Sequence, residues 1–357
     1  MDERYIGMLK QTICQSARGM MRGPSGCLKH PYVVPCTPDS PYYSTTLWDW
    51  DAWLTCVSLE QVCADTGHPG AFMAEERGSV LNFLEHCAEN GDMPICLTAE
   101  GNPLKQRAVP VSDESNMHKP VLAQQVALLV QHDGGLVDWI LPWMDILERY
   151  LTRWLTVHCH TETGLLYWQD DFAVGVDNDP AVFFRPAKSC GSIFLNCLMV
   201  RELQAMGYLW EQAGSMERAA DWRRKADTLT DSINRHCWDE RDGTYYSVDL
   251  NLLPVSDRDW LHHGAPRDYP CLIMRLDSWS SFLPLWAGIA SPEQAARMVD
   301  RLRDERTFSC RAGIRTLSRL EKMYSLAATN NPSNWRGPVW GVSNYLIFSG
   351  LLKYGYT

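Results

Sequence analysis

The chain has 357 residues, a formal net charge of −10 and a hydrophobic content of 45%. Its acidic balance, with no run of basic residues, argues against nucleic acid as a partner. No apolar run approaches the roughly 18 residues that a membrane-spanning helix needs, so no membrane partner is expected either.

Cysteine usage and the N-terminal residues point to one compartment. The 13 cysteines are odd in number and lack CxxC spacing, which predicts free thiols in a reducing environment. Met1–Arg4 lacks the pattern of a signal peptide. We therefore predict a cytoplasmic protein. His158–His160 and His262–His263 have no companion pair at ligand spacing, so neither a metal nor a cofactor is expected.

Helical periodicity dominates the chain, and loops with short strands separate the helices. Ten helices are predicted, over about 2–20, 48–65, 71–90, 120–131, 138–158, 187–214, 216–237, 278–289, 292–304 and 339–354. Ser291-Pro292 is an N-cap followed by proline at the first helical position. Asp242-Gly243 predicts a hairpin turn after Trp238. A strand is predicted over 165–168, and loops over 31–46, 91–117 and 250–272.

Helices of similar length, joined alternately by short and long connections, suggest nested α-hairpins in a ring. The predicted fold is all-α, an (α/α)6 barrel-like toroid built as a single domain over residues 1–357. A closed ring of six hairpins needs about twelve helices. The sequence supplies about ten, so either the helix count or the ring is incomplete at the C-terminus.

The C-terminal stretch from Asn334 to Trp340 is the first candidate for a binding site. Trp335 and Arg336 precede Pro338, and proline fits the first turn of a helix, so a helix is expected to start there. Indole faces suit the C–H faces of a sugar, and a guanidinium offers a planar fork of donors. Alternatively, these residues simply pack the helix start. The 15 tryptophans of the chain likewise suit either a sugar-binding cavity or a large helical core.

Two further segments carry aromatic and acidic side chains. In the first, over 42–53, Trp48 and Trp50 cannot share a helix face, so one must face the loop side. Asp49 and Asp51 lie at a helix N-terminus, where one of them is expected to be a simple N-cap. The other would grip paired sugar hydroxyls.

The second acidic segment, over 170–180, holds four aspartates. Glycoside hydrolysis needs one carboxylic acid and one carboxylate, and an acid that stays protonated needs a desolvated setting. The flanking Val174, Val176, Phe183 and Phe184 are expected to provide that setting. The alternative is an ordinary Asp-Asn-Asp turn. Glu321 is a further carboxylate, with a solvated helix-face residue as its alternative interpretation.

These segments, in this order, resemble glycoside hydrolase family 63 and its relatives. Trp48–Asp51 is similar to the family's W-x-W-D motif, and Met117–Ala123 to its Q-P-P-x-L-A segment. Gly175–Asn178 is similar to its G-x-D-N motif. Gly313–Ser318, Trp335–Trp340 and Asn344–Ile347 resemble its late signature. The resemblance covers nearly the whole chain from about residue 28.

The resemblance implies an (α/α)6 barrel that hydrolyses an α-glycosidic bond with inversion. It places the general acid on Asp177. It implies a small carbohydrate substrate. The predicted substrate-binding residues are Tyr43, Trp48, Trp50, Asp51, His118, Trp335, Arg336 and Trp340.

Three departures from the family pattern bear on the site. His118-Lys119 replaces Gln-Pro where some relatives contact the aglycone, and Asp179 stands where the family often has Ser. The family's general base is a Glu in an E-x-Y-[ND]-P-like segment beyond the late signature, and the sequence ends at Thr357 before such a segment. Glu321 is the nearest substitute for that base.

The leading hypothesis is therefore an inverting α-glycosidase acting on an α-glucoside or α-mannoside of a small sugar or glycerate-type aglycone. The alternative is a carbohydrate-binding, catalytically impaired member of the same fold, or a barrel completed by a partner chain. An isomerase or lyase using His118 or His158 as proton carrier is a third class, which no motif supports. The sequence does not indicate an oligomeric state.

Overall fold

The computed structural model describes residues 3–40, 43–104, 116–253, 267–327 and 333–357. Tyr42 and the His262–His263 pair lie outside these ranges, as do parts of the predicted loops over 91–117 and 250–272. The described residues form ten α-helices, and each of their eleven strands is two residues long. The prediction of an all-α protein is confirmed. None of the helices in these ranges has the length and apolar character of a membrane span.

The chain divides into two compact units, one of residues 1–153 with 201–224 and one of residues 154–200 with 225–357. The prediction of one domain over the whole chain stays a prediction. The first unit contains four complete helices: α1 Glu3–Ala17, α2 Asp49–Asp65, α3 Met73–Glu85 and α4 Leu122–His132. Its strands pair antiparallel, β1 Met21–Arg22 with β2 Tyr32–Val33 and β3 Leu47–Trp48 with β4 Cys96–Leu97.

Three helices contain residues of both units: α5 Met144–Val157, α6 Ile193–Gln212 and α7 Met216–His236. The prediction that the long helix starts near residue 187 is wrong by six positions. Cys190–Gly191, just before α6, forms strand β5, which pairs with β8 Val248–Asp249. The predicted strand over 165–168 is reduced to isolated bridges, Cys159 with Leu166 and Tyr167 with Gly191.

The second unit adds three helices of its own: α8 Leu283–Ala287, α9 Pro292–Arg303 and α10 Gly341–Lys353. Its remaining strands are β6 Trp238–Asp239, β7 Thr244–Tyr245, β9 Leu272–Ile273, β10 Ser309–Cys310 and β11 Gly313–Ile314. The predicted hairpin is confirmed by the pairing of β6 with β7. The predicted cap of α9 is confirmed as a full capping box, in which Ser291 and Gln294 each bond the other's backbone N–H.

A row of aromatic rings forms much of the core of the second unit. Neighbouring ring centroids lie between 4.3 and 6.0 Å apart along the row Trp154, Trp168, Phe194, Trp279, Trp335 and Trp340. The first five of these side chains are buried. Burial of such large rings is a major source of stability. The row ends at the segment from Trp335 to Trp340, so this core supports that segment directly.

Candidate active site

The loop that carries Asp177 is a series of tight turns. Gly175 and Asn178 have positive φ angles of 73° and 65°, and the backbone N–H of Asp179 closes a turn onto the carbonyl of Val176. Asp177 lies at the exposed crest of this turn. Asp179 is 5% exposed and accepts a hydrogen bond from the N–H of Ala181 at 3.0 Å. The loop therefore presents one carboxyl to the surface and buries the next.

The expected desolvated setting of Asp177 is not found. Val174 and Val176 are buried beneath the turn, but Phe183 and Phe184 are 41% and 70% exposed. These two rings pack edge to face with each other, with centroids 4.5 Å apart. The sequence correctly placed apolar residues around Asp177 but did not predict which of them turn inward. Burial instead raises the pKa of two other carboxyls of this loop, those of Asp171 and Asp179, the latter to about 6.

Two amide side chains join the Asp177 loop to the C-terminal segment. The Asn178 amide donates to Asn334 Oδ1 at 3.2 Å. The backbone N–H of Trp335 donates to Asn178 Oδ1 at 2.9 Å. Asn334 Oδ1 also accepts from the N–H of Arg336 at 3.0 Å. The residue after the predicted general acid is thus bonded to the segment predicted to bind the sugar.

Trp335 and Trp340 form a parallel stack, with centroids 4.3 Å apart and ring planes 9° apart. Trp335 is only 2% exposed, because Trp279 also packs against it at 5.7 Å. Trp340 is half-buried, and its indole N–H donates to the carbonyl of Asn334 at 2.7 Å. Trp335 therefore packs between Trp279 and Trp340 in the core. Of the two interpretations, a packing tryptophan fits Trp335 better than a ring that contacts the sugar.

Arg336 has a hydrogen-bonded backbone and, among the described residues, one side-chain nitrogen without a partner. Its carbonyl accepts from the N–H of Ser325 at 2.7 Å. Its Nε is buried and has no hydrogen-bond partner in the described ranges. A buried donor without a partner is costly, and an acceptor that reached this nitrogen would remove that cost. The neighbouring Gly337 has φ 142°, and a Cβ there would lie 2.6 Å from the Tyr324 ring.

The start of the last helix differs from the prediction. Helix α10 begins at Gly341 with Trp340 as its N-cap, rather than near Pro338. Val339 forms a bridge with Arg315, which holds the segment extended past the proline. Asn344 then bonds both the N–H and the carbonyl of Ile314, at 2.8 and 2.9 Å. The late signature thus links strand β11 and helix α10.

Glu321 does not lie on a helix, so the interpretation of a helix-face residue is wrong. It lies in a turn closed by the N–H of Glu321 on the carbonyl of Ser318. Glu321 Oε1 accepts from the backbone N–H of Asp277 at 2.9 Å, and partial burial raises the pKa of Glu321. Asp277 in turn accepts from the Tyr246 hydroxyl at 2.9 Å and from Arg301. Three residues beyond Glu321, Tyr324 packs against Gly337.

In the first unit, the predicted sugar-binding residues lie around the start of α2. Tyr43 is 50% exposed, with its ring centroid 5.9 Å from that of Trp48. Trp48 is the N-cap residue of α2 by its backbone, so neither aspartate serves as the expected N-cap. Trp50 and Asp51 lie in the first turn and are half-buried. Their sugar-binding role stays a prediction.

Asp49 forms a buried ion pair that the sequence did not predict. Both its oxygens lie 3.1 Å from Lys119 Nζ, and the side chains are 0% and 2% exposed. The backbone N–H groups of Lys119 and Trp50 also donate to this carboxylate, at 3.0 and 2.7 Å. Lys119 Nζ lies 5.7 Å from the centre of the Trp50 ring. The one sequence feature that could have indicated this ion pair was Lys119, which stands where the family segment has a proline.

His118 is fully buried in the first unit. Phe83 and Tyr150 pack edge-on against its ring, at centroid distances of 4.5 and 5.8 Å. Its Nδ1 lies 2.7 Å from the carbonyl oxygen of Lys119, and burial lowers the pKa of His118 to about 4. The ring is therefore neutral at pH 7. The expected contact between His118 and an aglycone finds no support in this position.

Comparison with solved structures places the fold. A GH63 mannosylglycerate hydrolase from Thermus thermophilus, crystallised with glucose, is similar over 98% of this chain and 88% of its own, with a TM-score of 0.67 and 16% identity. Neutral trehalase from Saccharomyces cerevisiae is similar over 92% of this chain and 64% of its own, with a TM-score of 0.58 and 16% identity. The fold is thus that of the helical glycosidases, and this likeness confirms the predicted fold class.

The chain belongs to the family of mannosylglycerate hydrolase MGH1-like glycoside hydrolase domains, whose model matches residues 42–357. The resemblance stated from the motifs is thereby confirmed. Among curated proteins, a cytosolic neutral trehalase of Pyricularia oryzae is 27% identical over 173 residues. That match covers 48% of this chain and 20% of the trehalase. The chain spans no more than a fifth of the length of the curated trehalases it matches.

Proposed function

We propose that this protein hydrolyses an α-glycosidic bond with inversion and that Asp177 is its general acid. One observation carries the proposal: Asn178 bonds Asn334 and Trp335, so the loop presents Asp177 at a fixed place relative to Arg336. Membership of a glycoside hydrolase family supports this interpretation. Asp177 would protonate the glycosidic oxygen as the bond to the leaving group breaks.

The second carboxylate would activate water on the opposite face of the sugar. In inverting enzymes the two carboxyl groups are generally about 6.5–9.5 Å apart. Glu321 is the candidate base, because among the described residues its Oε1 accepts a hydrogen bond from the backbone N–H of Asp277 and no hydrogen bond to its Oε2 is found. Burial raises its pKa, which makes the carboxylate a stronger proton acceptor once it is ionised.

The proposed substrate is an α-glucoside or α-mannoside of a small sugar or a glycerate-type aglycone. The names of similar proteins, mannosylglycerate hydrolase and trehalase, support this class. The buried, unpartnered Nε of Arg336 suits a hydroxyl or a carboxylate. In the second unit, Trp340 would contact the sugar ring. The sugar-binding roles of Trp48, Trp50, Asp51 and Tyr43, which lie in the first unit, stay predictions from the resemblance.

The decisive experiment replaces Asp177 by Asn and measures hydrolysis of mannosylglycerate, glucosylglycerate and trehalose. Loss of the general acid should lower kcat by about 10²–10⁴-fold on whichever substrate is turned over. Asp171→Asn is the matched control, because it removes an exposed carboxylate from the same loop. With mannosylglycerate or glucosylglycerate as substrate, following the anomeric proton by NMR should show the β-anomer first. Unchanged turnover in Asp177→Asn, or the α-anomer first, would contradict the proposal.

A second candidate function is carbohydrate binding without turnover, or turnover only when a partner chain completes the site. The exposure of Asp177 favours this alternative, because a general acid usually lies in a desolvated setting. Sugar affinity and hydrolysis should be measured on one preparation. Saturable sugar binding with no product would support the alternative.

We also propose a cytoplasmic location. All 13 cysteines are free in the structure, as predicted from their spacing, and six of them are buried. Free thiols are typical of reducing compartments. The similarity to cytosolic neutral trehalases points the same way.

A further inference from the structure

A cavity of about 380 Å³ lies beside the β10–β11 hairpin of the second unit. Its lining consists of Glu305, Ser309, Cys310, Arg311, Arg315 and Arg319. None of these residues is among the proposed carbohydrate-binding or catalytic residues. Small-molecule sites commonly have volumes of about 300–1,000 Å³, so this cavity can hold a small ligand.

The local fold places the backbones of the three arginines around the cavity and anchors the side chain of one of them, Arg315. Pairing of Cys310 with Gly313 places Arg311 in the turn of the hairpin. Arg319 is fixed at its backbone N–H, which donates to the carbonyl of Thr307 at 3.2 Å. One edge of the Arg315 guanidinium is anchored, since Nη1 donates to the carbonyl oxygens of Thr307 and Ser309.

The charge of this cavity is unusual for so acidic a protein. Three guanidinium groups and one carboxylate, Glu305, give the lining a formal charge of +2, in a chain of net charge −10. In the described ranges neither Arg311 nor Arg319 forms an ion pair, although both are exposed enough to rotate. Like charges gathered at one place repel, and a bound anion would relieve that repulsion.

The charge and donor geometry favour a phosphoryl group over a carboxylate. A phosphate monoester carries a charge of about −1.5 to −2 at pH 7 and offers three strong acceptor oxygens. Guanidinium forks bind such oxygens in pairs. A monoanionic carboxylate would balance only half of the +2 lining. The remaining volume leaves room for the organic part of the ester.

We propose that this cavity binds a phosphate monoester, of the size of a hexose phosphate, outside the carbohydrate-cleaving site. The site is linked to the Trp335–Trp340 segment by a short path. The backbone of Arg315 forms a bridge with Val339. Next to it, Thr316 Oγ1 accepts from the N–H of Gly337 at 3.1 Å and donates to the carbonyl of Pro338 at 2.9 Å. Arg315, whose side chain lines the cavity, is thus connected through its backbone to the segment that carries Arg336.

The test is isothermal titration of the full chain with glucose 6-phosphate, inorganic phosphate and glycerate at near-physiological salt. Glucose 6-phosphate should bind at one site per chain. Arg311→Gln/Arg319→Gln should weaken it by at least about tenfold, the size expected for the loss of one charge-assisted hydrogen bond. Arg311→Lys/Arg319→Lys, which keeps the charge and loses the forks, should give an intermediate affinity.

The matched control is Arg224→Gln/Arg241→Gln. It removes the same formal charge from two exposed arginines that pair with Asp221 and Asp242. An equal loss of affinity in this control, or no saturable binding to the unchanged chain, would overturn the proposal. Equal affinity for inorganic phosphate would overturn the assignment to an ester.

Glycerate provides a test that is independent of the proposed hydrolase activity. If glycerate bound as tightly as glucose 6-phosphate and the arginine variants weakened both equally, the cavity would be a general carboxylate subsite and the proposal would fail. The titration needs no turnover, so it can succeed even if Asp177 proves not to be catalytic.

Discussion

The amide of Asn178 bonds two consecutive residues of the C-terminal segment. It donates to Asn334 Oδ1 at 3.2 Å and accepts from the N–H of Trp335 at 2.9 Å. These residues are 156 and 157 positions away along the chain. Asn178 also has a positive φ of 65°, a conformation that asparagine tolerates better than most residues. Asn178 thus adopts the backbone conformation that the Asp177 turn requires, and its side chain hydrogen-bonds that turn to Asn334 and Trp335.

Asn178→Gly should separate the effect of the positive φ angle from that of the two amide hydrogen bonds. Glycine keeps the positive φ without strain and removes both amide hydrogen bonds. The Asp177 turn would then be free to shift, and a displacement of about 1 Å can cost around 10²-fold in rate. We expect kcat to fall by that order, with only a small change in melting temperature.

Lys188→Gly is the matched control for this substitution, because Lys188 is the other non-glycine residue with positive φ in the described ranges, at 61°. It should leave kcat unchanged. An Asn178→Gly enzyme with normal kcat would show that the two amide bonds do not position Asp177.

Trp335 and Trp340 should respond differently to substitution, because only Trp340 has a partly exposed ring. Trp335→Ala should destabilise the protein by about 3–5 kcal/mol, since it empties a core position between Trp279 and Trp340. Trp340→Ala should mainly raise KM. Urea unfolding and steady-state kinetics on both variants measure the two effects.

Trp335→Phe serves as the control in this pair. Phenylalanine keeps an aromatic face for the stack and should leave KM close to its normal value. A rise in KM larger than that of Trp340→Ala would identify Trp335 itself as the sugar-contacting ring.

Much of the fold was predictable because its signals are local. The cap of α9 depends on Ser291, Pro292 and Gln294, and the β6–β7 hairpin is formed within the eight residues from Trp238 to Tyr245. The late helix was placed three residues early because proline at 338 favours a helix start. A bridge to Arg315, 24 positions earlier in the chain, overrides that local preference at Val339.

The sequence predicted the motifs of the candidate site, but it did not predict which of the site residues are buried. The motifs drew attention to Asp177, Trp335 and Arg336, whose roles stay predictions. The sequence did not show that Trp335 is buried by Trp279 or that His118 is enclosed by Phe83 and Tyr150. These contacts join residues that are tens of positions apart in the chain, so no local sequence pattern predicts them.

The Asp49–Lys119 pair joins residues 70 positions apart and should be strongly coupled. Lys119→Met leaves a buried carboxylate without its cation, which typically costs about 3–5 kcal/mol. Asp49→Asn leaves the ammonium unpaired at a similar cost. The double variant Asp49→Asn/Lys119→Met should recover part of the stability, giving a clear coupling energy in urea unfolding.

The control is the same set of two single variants and one double variant at Lys10 and Asp65, measured by urea unfolding. This pair is 2.6 Å long, and its side chains are 34% and 32% exposed. Exposed pairs contribute at most about 1 kcal/mol. A coupling energy for Asp49–Lys119 no larger than that of the Lys10–Asp65 pair would contradict the prediction of strong coupling in the buried pair.

Asp179 should make the stability of the protein depend on pH in a defined direction. Burial raises its pKa from 3.8 to about 6, so the folded state binds a proton that the unfolded state has already lost between these values. The stability this group contributes is fully present below pH 3.8 and is lost as pH rises through about 6. The total loss is about 3 kcal/mol, since each unit of pKa corresponds to 1.36 kcal/mol.

Asp179→Asn should remove this slope, because asparagine keeps an acceptor for the N–H of Ala181 and never ionises. The variant should match the unchanged protein near pH 4 and exceed its unfolding free energy by up to about 3 kcal/mol at pH 7.5. Urea unfolding at the two pH values measures the difference. The control is Asp227→Asn, at an exposed position, which should change the unfolding free energy by the same small amount at both pH values. If Asp179→Asn behaved like this control, Asp179 would have to be ionised in the folded protein at little cost, with its carboxylate stabilised by the turn that carries Asp177.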